Sequence, residues 1–300
     1  MRYTASFLLG LFAASGAAKS FDLRLMTYNI RYAAQNPTGD EKPWSVRRPL
    51  MAAQLDHEFA GRPDSLVCFQ EALYEQVENL KTDLGDGWNY VGVGRDDGDK
   101  GGEFSPIFYQ SSEWKLQENK TYWLSETPDV VGSVGWDAAL PRIVTVAKFQ
   151  HRETKTPLVY MCTHFDHRGQ VAREQSAELL VDIADEWSGS GKSRTPIFLG
   201  GDLNVDPSNP AYQTLASKLN DAKDVVPKEH HYGHDMTYTG FDHDTSNDSE
   251  IDHIFVKDPS GLGWISFAVL NTLFDDDVFI SDHRPVVVDV RVPAKKGGKA

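Results

Sequence analysis

Cysteine is scarce: Cys68 and Cys162 are the only two in 300 residues. That excludes a dense disulfide scaffold and a zinc site built on clustered thiolates. Both sit inside apolar, strand-like runs, SLVCFQE and VYMCTHF. A chain of this length does not need a crosslink to hold its core. The expectation is two buried free thiols, although a secreted chain could pair them. Positive charge is also short. Lys and Arg number 30 against 44 Asp and Glu, for a formal net charge of −14. Such a chain gains no general electrostatic help in approaching a polyanion, which argues against tight non-specific nucleic-acid binding. It leaves room for a small phosphate ester or a metal-screened site.

Long hydrophobic runs are missing except at the N-terminus. There Arg2 precedes the apolar core TASFLLGLFAA, and Gly16-Ala17-Ala18 offers small residues for cleavage. The core is too short to span a bilayer. Residues 1–18 read as a signal peptide. The mature protein is expected to be secreted and soluble, without stable membrane association. There is no low-complexity tract and no internal repeat, and no linker interrupts residues 19–293. These residues read as one domain, followed by a disordered basic tail over 294–300. Two N-glycosylation patterns, Asn119-Lys-Thr121 and Asn247-Asp-Ser249, are present.

Apolar runs predict strands over 23–30 and 65–71, near Tyr90 and Ile107, and over 114–124, 143–149, 158–164, 195–202, 251–256, 264–269 and 285–292. Helical spacing covers 44–60, 73–84 and 168–187, with a short helix near 212–219. In the first helix Val46, Leu50, Ala53 and Phe59 share one side, and Pro49 is tolerable only in a first turn. In the third, Leu179, Leu180 and Ile183 face inward. Strands outnumber helices, and helices fall between strand groups. That pattern predicts a layered α/β protein with mixed or antiparallel sheets.

Polar residues recur at the strand ends. They are Asn29 in TYNI, Glu71 in CFQE, His164 in CTHFDH, Asp202 and Asn204 in GGDLN, Asp252 in IDHIF, and Asp282 with His283 in SDHRPV. Each alone has a plain explanation, as a cap, an Asx-turn or a satisfied core histidine. As a set they would gather at one edge of the sandwich. Carboxylates such as Glu71 and Asp282 repel each other there unless a cation neutralises them. Oxygen ligands suit a hard divalent ion, and an imidazole beside a carboxylate is held in one tautomer. In GGDLN, residues two apart on an extended chain can face one target together.

The ordered set TYNI, QE, TH, GDLN, IDHIF and SDH resembles the endonuclease/exonuclease/phosphatase superfamily across residues 21–292. The resemblance implies a four-layer α/β sandwich, two face-to-face mainly antiparallel or mixed β-sheets flanked by helices. It implies Mg²⁺ or Mn²⁺ at Glu71, Asn29 and Asp282. It implies that Asp202 and Asn204 position or activate the attacking water and hold the phosphate. His283 is then the catalytic imidazole, Asp252 its orienting carboxylate, and His164 a contact to the phosphoryl oxygen or leaving group. Arg142 and Glu103 are weaker candidates for substrate contact, and Arg31 beside Asn29 is a similar case. The aromatics Phe104, Tyr109, Trp123 and Trp136 could line a substrate cleft.

Within the superfamily, the inositol-polyphosphate branch carries a Trp before the GDxN block, an Arg after it and a CDR motif. This chain has FLGGDLNVDP and IDHIF instead. Abasic-site enzymes are usually basic, and this chain is not. GDLNVDPSNPAY and SDHRPV look like the deadenylase branch and its secreted relatives, without an RNA-targeting repeat. The leading expectation is a secreted phosphodiesterase, nuclease-like, cleaving by one-step water attack on phosphorus. The partner is a phosphoester substrate, with nucleic acid or a nucleotide among the candidates, and the chain is expected to act as a monomer. The alternatives are a phosphomonoesterase on a sugar or inositol phosphate, and a non-catalytic binding protein on the same fold.

Overall fold

Apolar runs with no alternation need cover on both faces. The computed structural model, described over residues 20–189, 194–258 and 260–294, supplies that cover by stacking two sheets and backing each with helices. The proposed signal peptide and residues 295–300 of the proposed tail lie outside the described residues. In chain order the elements are β1 (Ser20–Asn29), α1 (Trp44–Phe59), β2 (Ser65–Gln70), α2 (Tyr74–Leu84), β3 (Trp88–Val91), β4 (Ile107–Gln110), β5 (Trp114–Trp123), β6 (Ile143–His151) and β7 (Pro157–His164). Then come α3 (Gln170–Ser188), β8 (Ile197–Asp202), α4 (Pro210–Lys218), β9 (Asn220–Asp221), α5 (Ala222–Val225), β10 (His231–Gly233), β11 (Asp252–Lys257), β12 (Gly263–Val269) and β13 (Val286–Pro293).

One sheet runs β10-β12-β13-β1-β2-β4-β3 and the other β5-β6-β7-β8-β11-β9. Phe21, Leu23, Leu25 and Val290 of the first sheet pack against Phe149, Tyr160, Phe198 and Ile254 of the second, forming the middle of the sandwich. A second cluster joins α3 and α4 to the outer face of the six-stranded sheet, with Leu180, Ile183, Leu215 and Phe255. A third joins α1 and α2 to the other outer face, with Met51, Leu55, Val77 and Phe108. The four layers expected from the sequence are all there.

The centres of the two sheets are built alike. β1 and β2 are parallel and joined through α1; β7 and β8 are parallel and joined through α3. Antiparallel strands flank each pair: β13 and β4 in one sheet, β6 and β11 in the other. Parallel strands joined through a helix end on the same edge. The C-terminal ends of β1, β2, β7 and β8 therefore deliver Asn29, Glu71, His164 and Asp202 to that edge. Antiparallel β11 begins there, pairing Asp252 with Asp202.

Three expectations need correction. Cys68 and Cys162 are not free thiols; they form a disulfide, with Cα atoms 5.3 Å apart. Both point into the space between the sheets, Cys68 from β2 and Cys162 from β7, and that spacing suits the bond. Helix α1 runs through Pro49 in its second turn. Pro49 and Ser45, the residue whose carbonyl loses its partner, are both exposed, so that carbonyl stays open to solvent and the proline is tolerated. The buried stripe of α1 is also rotated from the one read in the sequence. Val46 is 44% exposed, and Trp44, Arg47, Met51, Leu55 and Phe59 face inward.

Candidate active site

A cavity of about 650 Å³ opens at the edge where the strand ends converge. Its walls include Glu71, Glu103, Arg142, His164, Asp202, Asn204, Asp282 and His283. Asn29 and Asp252 stand behind it in direct contact with these groups. Phe104, Tyr109 and Trp123 do not line the cavity. They are buried among core side chains, and Trp123 donates its indole N–H to the Arg95 carbonyl. Trp136 is not in the wall either; Tyr32, Tyr238 and Leu140 are.

The backbone departs from its usual conformations where the site is built. Arg31, Glu71 and Asn204 adopt φ of 55°, 62° and 52°. Non-glycine residues in this left-handed region carry strain, most for Arg and Glu, and such strain persists only where surrounding contacts enforce it. Those contacts are present. Asn29 donates to Glu71 Oε1 (3.0 Å) and to Asp202 Oδ2 (2.9 Å), while its own Oδ1 accepts from the Arg31 N–H (3.0 Å). Glu71 Oε2 accepts from the Tyr32 N–H (3.2 Å). Asn29 thus spans the two sheets and holds both carboxylates through its amide nitrogen.

Around Asp202 the geometry is dense. Its Oδ1 accepts from the Asn204 N–H (2.8 Å). Its Oδ2 lies 3.4 Å from His164 Nε2 and 3.8 Å from His283 Nε2. Asn204 donates its amide N–H to the Phe165 carbonyl and sits 3.0 Å from His164 Nε2. On the far side of His283, Nδ1 meets Asp252 Oδ2 at 2.8 Å. Thr237 Oγ accepts the backbone N–H groups of Ile251 and Asp252 and fixes that carboxylate's strand start. Ser281 ties the two metal-side loops, donating to the Asn29 carbonyl (2.7 Å) and accepting from the His283 N–H.

Burial and neighbouring charge set the protonation states. Burial pushes the Asp202 carboxyl up to about 7, the Asp252 charge adds to this, and His283 opposes it. Burial also disfavours the charged form of His283. The charge and hydrogen bond of Asp252, with Asp202 and Asp282 beyond, outweigh it and raise the imidazole well above its ordinary value. His164 goes the other way: burial, then Arg142 and Arg95, hold it neutral. Asp282 is raised by burial and by Glu71. Two histidines in one cavity are therefore pushed in opposite directions, His283 toward the imidazolium and His164 toward the neutral ring.

The donor set fits a divalent cation. A carboxylate oxygen of Glu71 and one of Asp202 lie within 4.8 Å of each other, with His283 beside them. The Glu71 charge raises the cost of ionising Asp282, which a cation would relieve. Glu71 and Asp282 are the carboxylates named from the sequence. Asn29, named with them, orients the carboxylates through its N–H groups.

Several contributors carry no sequence signal. Arg95 pairs with both oxygens of Glu103 (2.7 and 2.9 Å), and Glu103 lies 3.7 Å from His164 Nδ1. Tyr238 packs edge-on against His283, with ring centroids 5.1 Å apart. Arg47 of α1, fully buried, donates to the carbonyls of Ile30, Arg31, Tyr32, Lys42 and Ile280. Arg95 and Tyr238 sit on loops, where no periodicity marks them. Arg47 was hidden because an arginine in a helix reads as surface.

Comparison with known proteins agrees with this architecture. A sequence model of the "Endonuclease/Exonuclease/phosphatase family" matches residues 26–283. A Bacteroides vulgatus endonuclease/exonuclease/phosphatase superposes with a TM-score of 0.80 at 33% identity, covering 91% of this chain and 99% of that one. A Bacteroides thetaiotaomicron mannosyl-6-phosphatase superposes with a TM-score of 0.78 at 34% identity, covering 89% and 99%. Among curated proteins, Nocturnin of Drosophila melanogaster is 24% identical over 223 residues, which are 67% of this chain. The match spans only 32% of that relative's length. The chain belongs to the endonuclease/exonuclease/phosphatase family, whose members are phosphoester hydrolases.

Proposed function

We propose that this protein hydrolyses a phosphoester by direct attack of water on phosphorus, with a bound divalent cation, Mg²⁺ or Mn²⁺. The observation that carries the reading is the Asp252–His283–Asp202 chain, in which one imidazole stands between two carboxylates. Glu71 and Asp282 would hold the cation, with Asn29 fixing Glu71. When bound, the cation supplies positive charge to a phosphoryl oxygen and neutralises the acidic cluster. Asp202, with its raised proton affinity, takes a proton from the attacking water. Asn204, anchored by donating to the Phe165 carbonyl, stands beside Asp202 and helps to position the same water. His283 is held charged by Asp252 and faces the negative charge that grows on the phosphoryl oxygens. Neutral His164 keeps the base and Asn204 in register. The net change is simple: water adds to phosphorus, the ester P–O bond breaks, and the leaving oxygen gains a proton.

The ester class follows from a second observation. The sequence favoured a diester. The 34% identity to a mannosyl-6-phosphatase over 89% of the chain favours a sugar monophosphate instead. We also place the enzyme outside the cell as a single chain. The apolar leader supports that location, as does the disulfide, a bond that persists in oxidising compartments. No helix among the described residues is long and apolar enough to cross a membrane.

His283→Ala tests the reaction. Hydrolysis of p-nitrophenyl phosphate should fall by about 10³-fold, within the range for loss of a catalytic acid–base group. The circular dichroism and melting curve should stay close to wild type. Retained turnover would remove His283 from the chemistry.

A further inference from the structure

A second cavity, of about 390 Å³, adjoins the catalytic one. Arg31, Tyr238 and Asp282 line both. The rest of its wall comes from two connections, residues 38–41 after β1 and residues 240–242 before β11. Phe241 supplies a fixed apolar facet. Its ring meets Phe279 edge-on, with centroids 6.4 Å apart, and the buried Arg47 guanidinium lies 5.8 Å from its centre.

The free polar groups of this wall are mostly acceptors. Asp40, Glu41 and Asp242 add three carboxylates. The cation is already engaged: Arg31 donates through Nε and Nη2 to Glu41 (3.1 and 3.3 Å), and its Nη1 lies 3.8 Å from Glu71. Asp40 is exposed, and its carboxylate accepts no hydrogen bond among the described residues. Asp242 gives Oδ1 to the Asp244 N–H and keeps Oδ2. A methyl group placed on Gly240 would lie 3.6 Å from that Oδ2 and 3.9 Å from the Tyr238 hydroxyl oxygen. Both polar ends therefore stand over one bare backbone position, within reach of a common guest.

We propose that the second cavity binds an uncharged sugar ring beyond the phosphorylated one, so that the substrate is a phosphorylated oligosaccharide. This rests on the sugar-monophosphate reading of the catalytic cavity. Ionised carboxylates accept hydrogen bonds and donate none, so a guest here must bring donors. Sugar hydroxyls bring them to Asp40 and Asp242, and the C–H face of the ring covers Phe241. A second phosphate in the same place would meet carboxylates with no free guanidinium beside them, a like-charge contact that costs affinity. Each cavity falls within the usual size of a small-ligand site, and the shared wall of Arg31 and Tyr238 lets one ligand occupy both.

The test compares methyl α-mannoside 6-phosphate with an α-1,2-linked mannobiose carrying its 6-phosphate on the non-reducing ring, with Mn²⁺ and the full chain. Wild type should show a KM about 10-fold lower for the disaccharide at similar kcat. Asp40→Ala/Asp242→Ala should raise the disaccharide KM about 10-fold, the scale of an exposed hydrogen bond to a charged group. It should leave kcat alone, as loss of uniform binding does, and move the mannoside KM by less than about 2-fold. Equal KM values for the two esters in wild type, or equal effects of the substitutions on both, would overturn the proposal. If the melting curve shows the double variant unfolded, Asp40→Ala alone takes its place, because that carboxylate has no partner to lose. It should raise the disaccharide KM about 3-fold and leave the mannoside unchanged. Unphosphorylated mannobiose, followed by saturation-transfer NMR, tests the cavity without turnover. It should bind wild type about 10-fold more tightly than the double variant, even if neither ester is hydrolysed; the cavity assignment then stands while the hydrolase reading fails. Mannobiose that does not bind, or binds both proteins alike, would sink the assignment and leave the reaction to the His283 experiment.

Discussion

A fully buried arginine that touches no carboxylate is an unusual way to build a loop. Arg47 spends all its donors on backbone carbonyls, and four of them belong to the segments carrying Asn29, Arg31 and Asp282. Arg47→Met keeps the apolar stem but leaves five carbonyls to find other partners. We expect a loss of about 3 kcal/mol or more in urea unfolding, in line with broken buried networks. Weaker Mn²⁺ binding should accompany it, because the αL turn at Arg31 loses its brace. A second residue-scale outcome concerns acid. Burial would raise the Asp166 carboxyl, but the N–H groups of Gly169, Arg168 and Ala139, with Arg142, outweigh it and bring it down to about 2. A depressed carboxyl stabilises the fold above its unfolded value and loses that contribution as pH falls through the folded one. Asp166→Asn should therefore cost about 2 kcal/mol near neutrality. The gap to wild type should close as pH falls through about 4 toward about 2, read from melting curves.

At the scale of elements, the disulfide joins the two halves of the sandwich. Cys68 lies on β2, three positions before Glu71, and Cys162 on β7, two before His164. The bond closes a separation of 94 residues. Chain-entropy arguments give roughly 4–5 kcal/mol for a loop of that size, with measured values usually lower. A Cys68→Ala/Cys162→Ala variant should unfold at lower urea concentration by about 2–4 kcal/mol. It should also lose activity before it unfolds, because the bond sits just beneath the site. The strands themselves were legible in the sequence. Runs such as LRLMTYNI and PIFLGGD are buried on both faces and end in sharp polar punctuation. The residues at those ends were legible for the same reason. The disulfide was not: what pairs Cys68 with Cys162 is the stacking of one sheet on another, and no local pattern encodes it. Nor was the buried side of α1, where Arg47 occupies a place that periodicity assigns to an apolar residue.

For the molecule as a whole, charge and architecture pull apart. A net charge of −14 repels an anionic substrate at long range, while the cavity sets Arg31, Arg142 and His283 among the carboxylates of Glu71, Glu103, Asp202 and Asp282. Salt should therefore help at first. Raising ionic strength from about 0.01 M to about 0.15 M shrinks the screening length from about 30 Å to about 8 Å, so kcat/KM for a phosphomonoester should rise a few-fold with kcat unchanged. A steady fall across that range would mean that the local field dominates the encounter. In the proposed reaction the chemistry rests on strand ends, fixed by hydrogen-bonded register, His164 opposite Asp202 and Asp252 opposite Asp202. The rim of the cavity is different material. Tyr32 and Leu140 come from connections between elements, while Tyr238 is tied by isolated bridges to Ser249 and to His283. The proposed reaction thus puts catalysis on the strand ends and recognition on the connections around Tyr32 and Leu140. Transplanting the segment around Leu140 from a relative should exchange the preferred alcohol and leave the cleavage step intact, read as changed KM with kcat held across a set of phosphate esters. A new substrate would then require new loops on an old engine, with no strand moved.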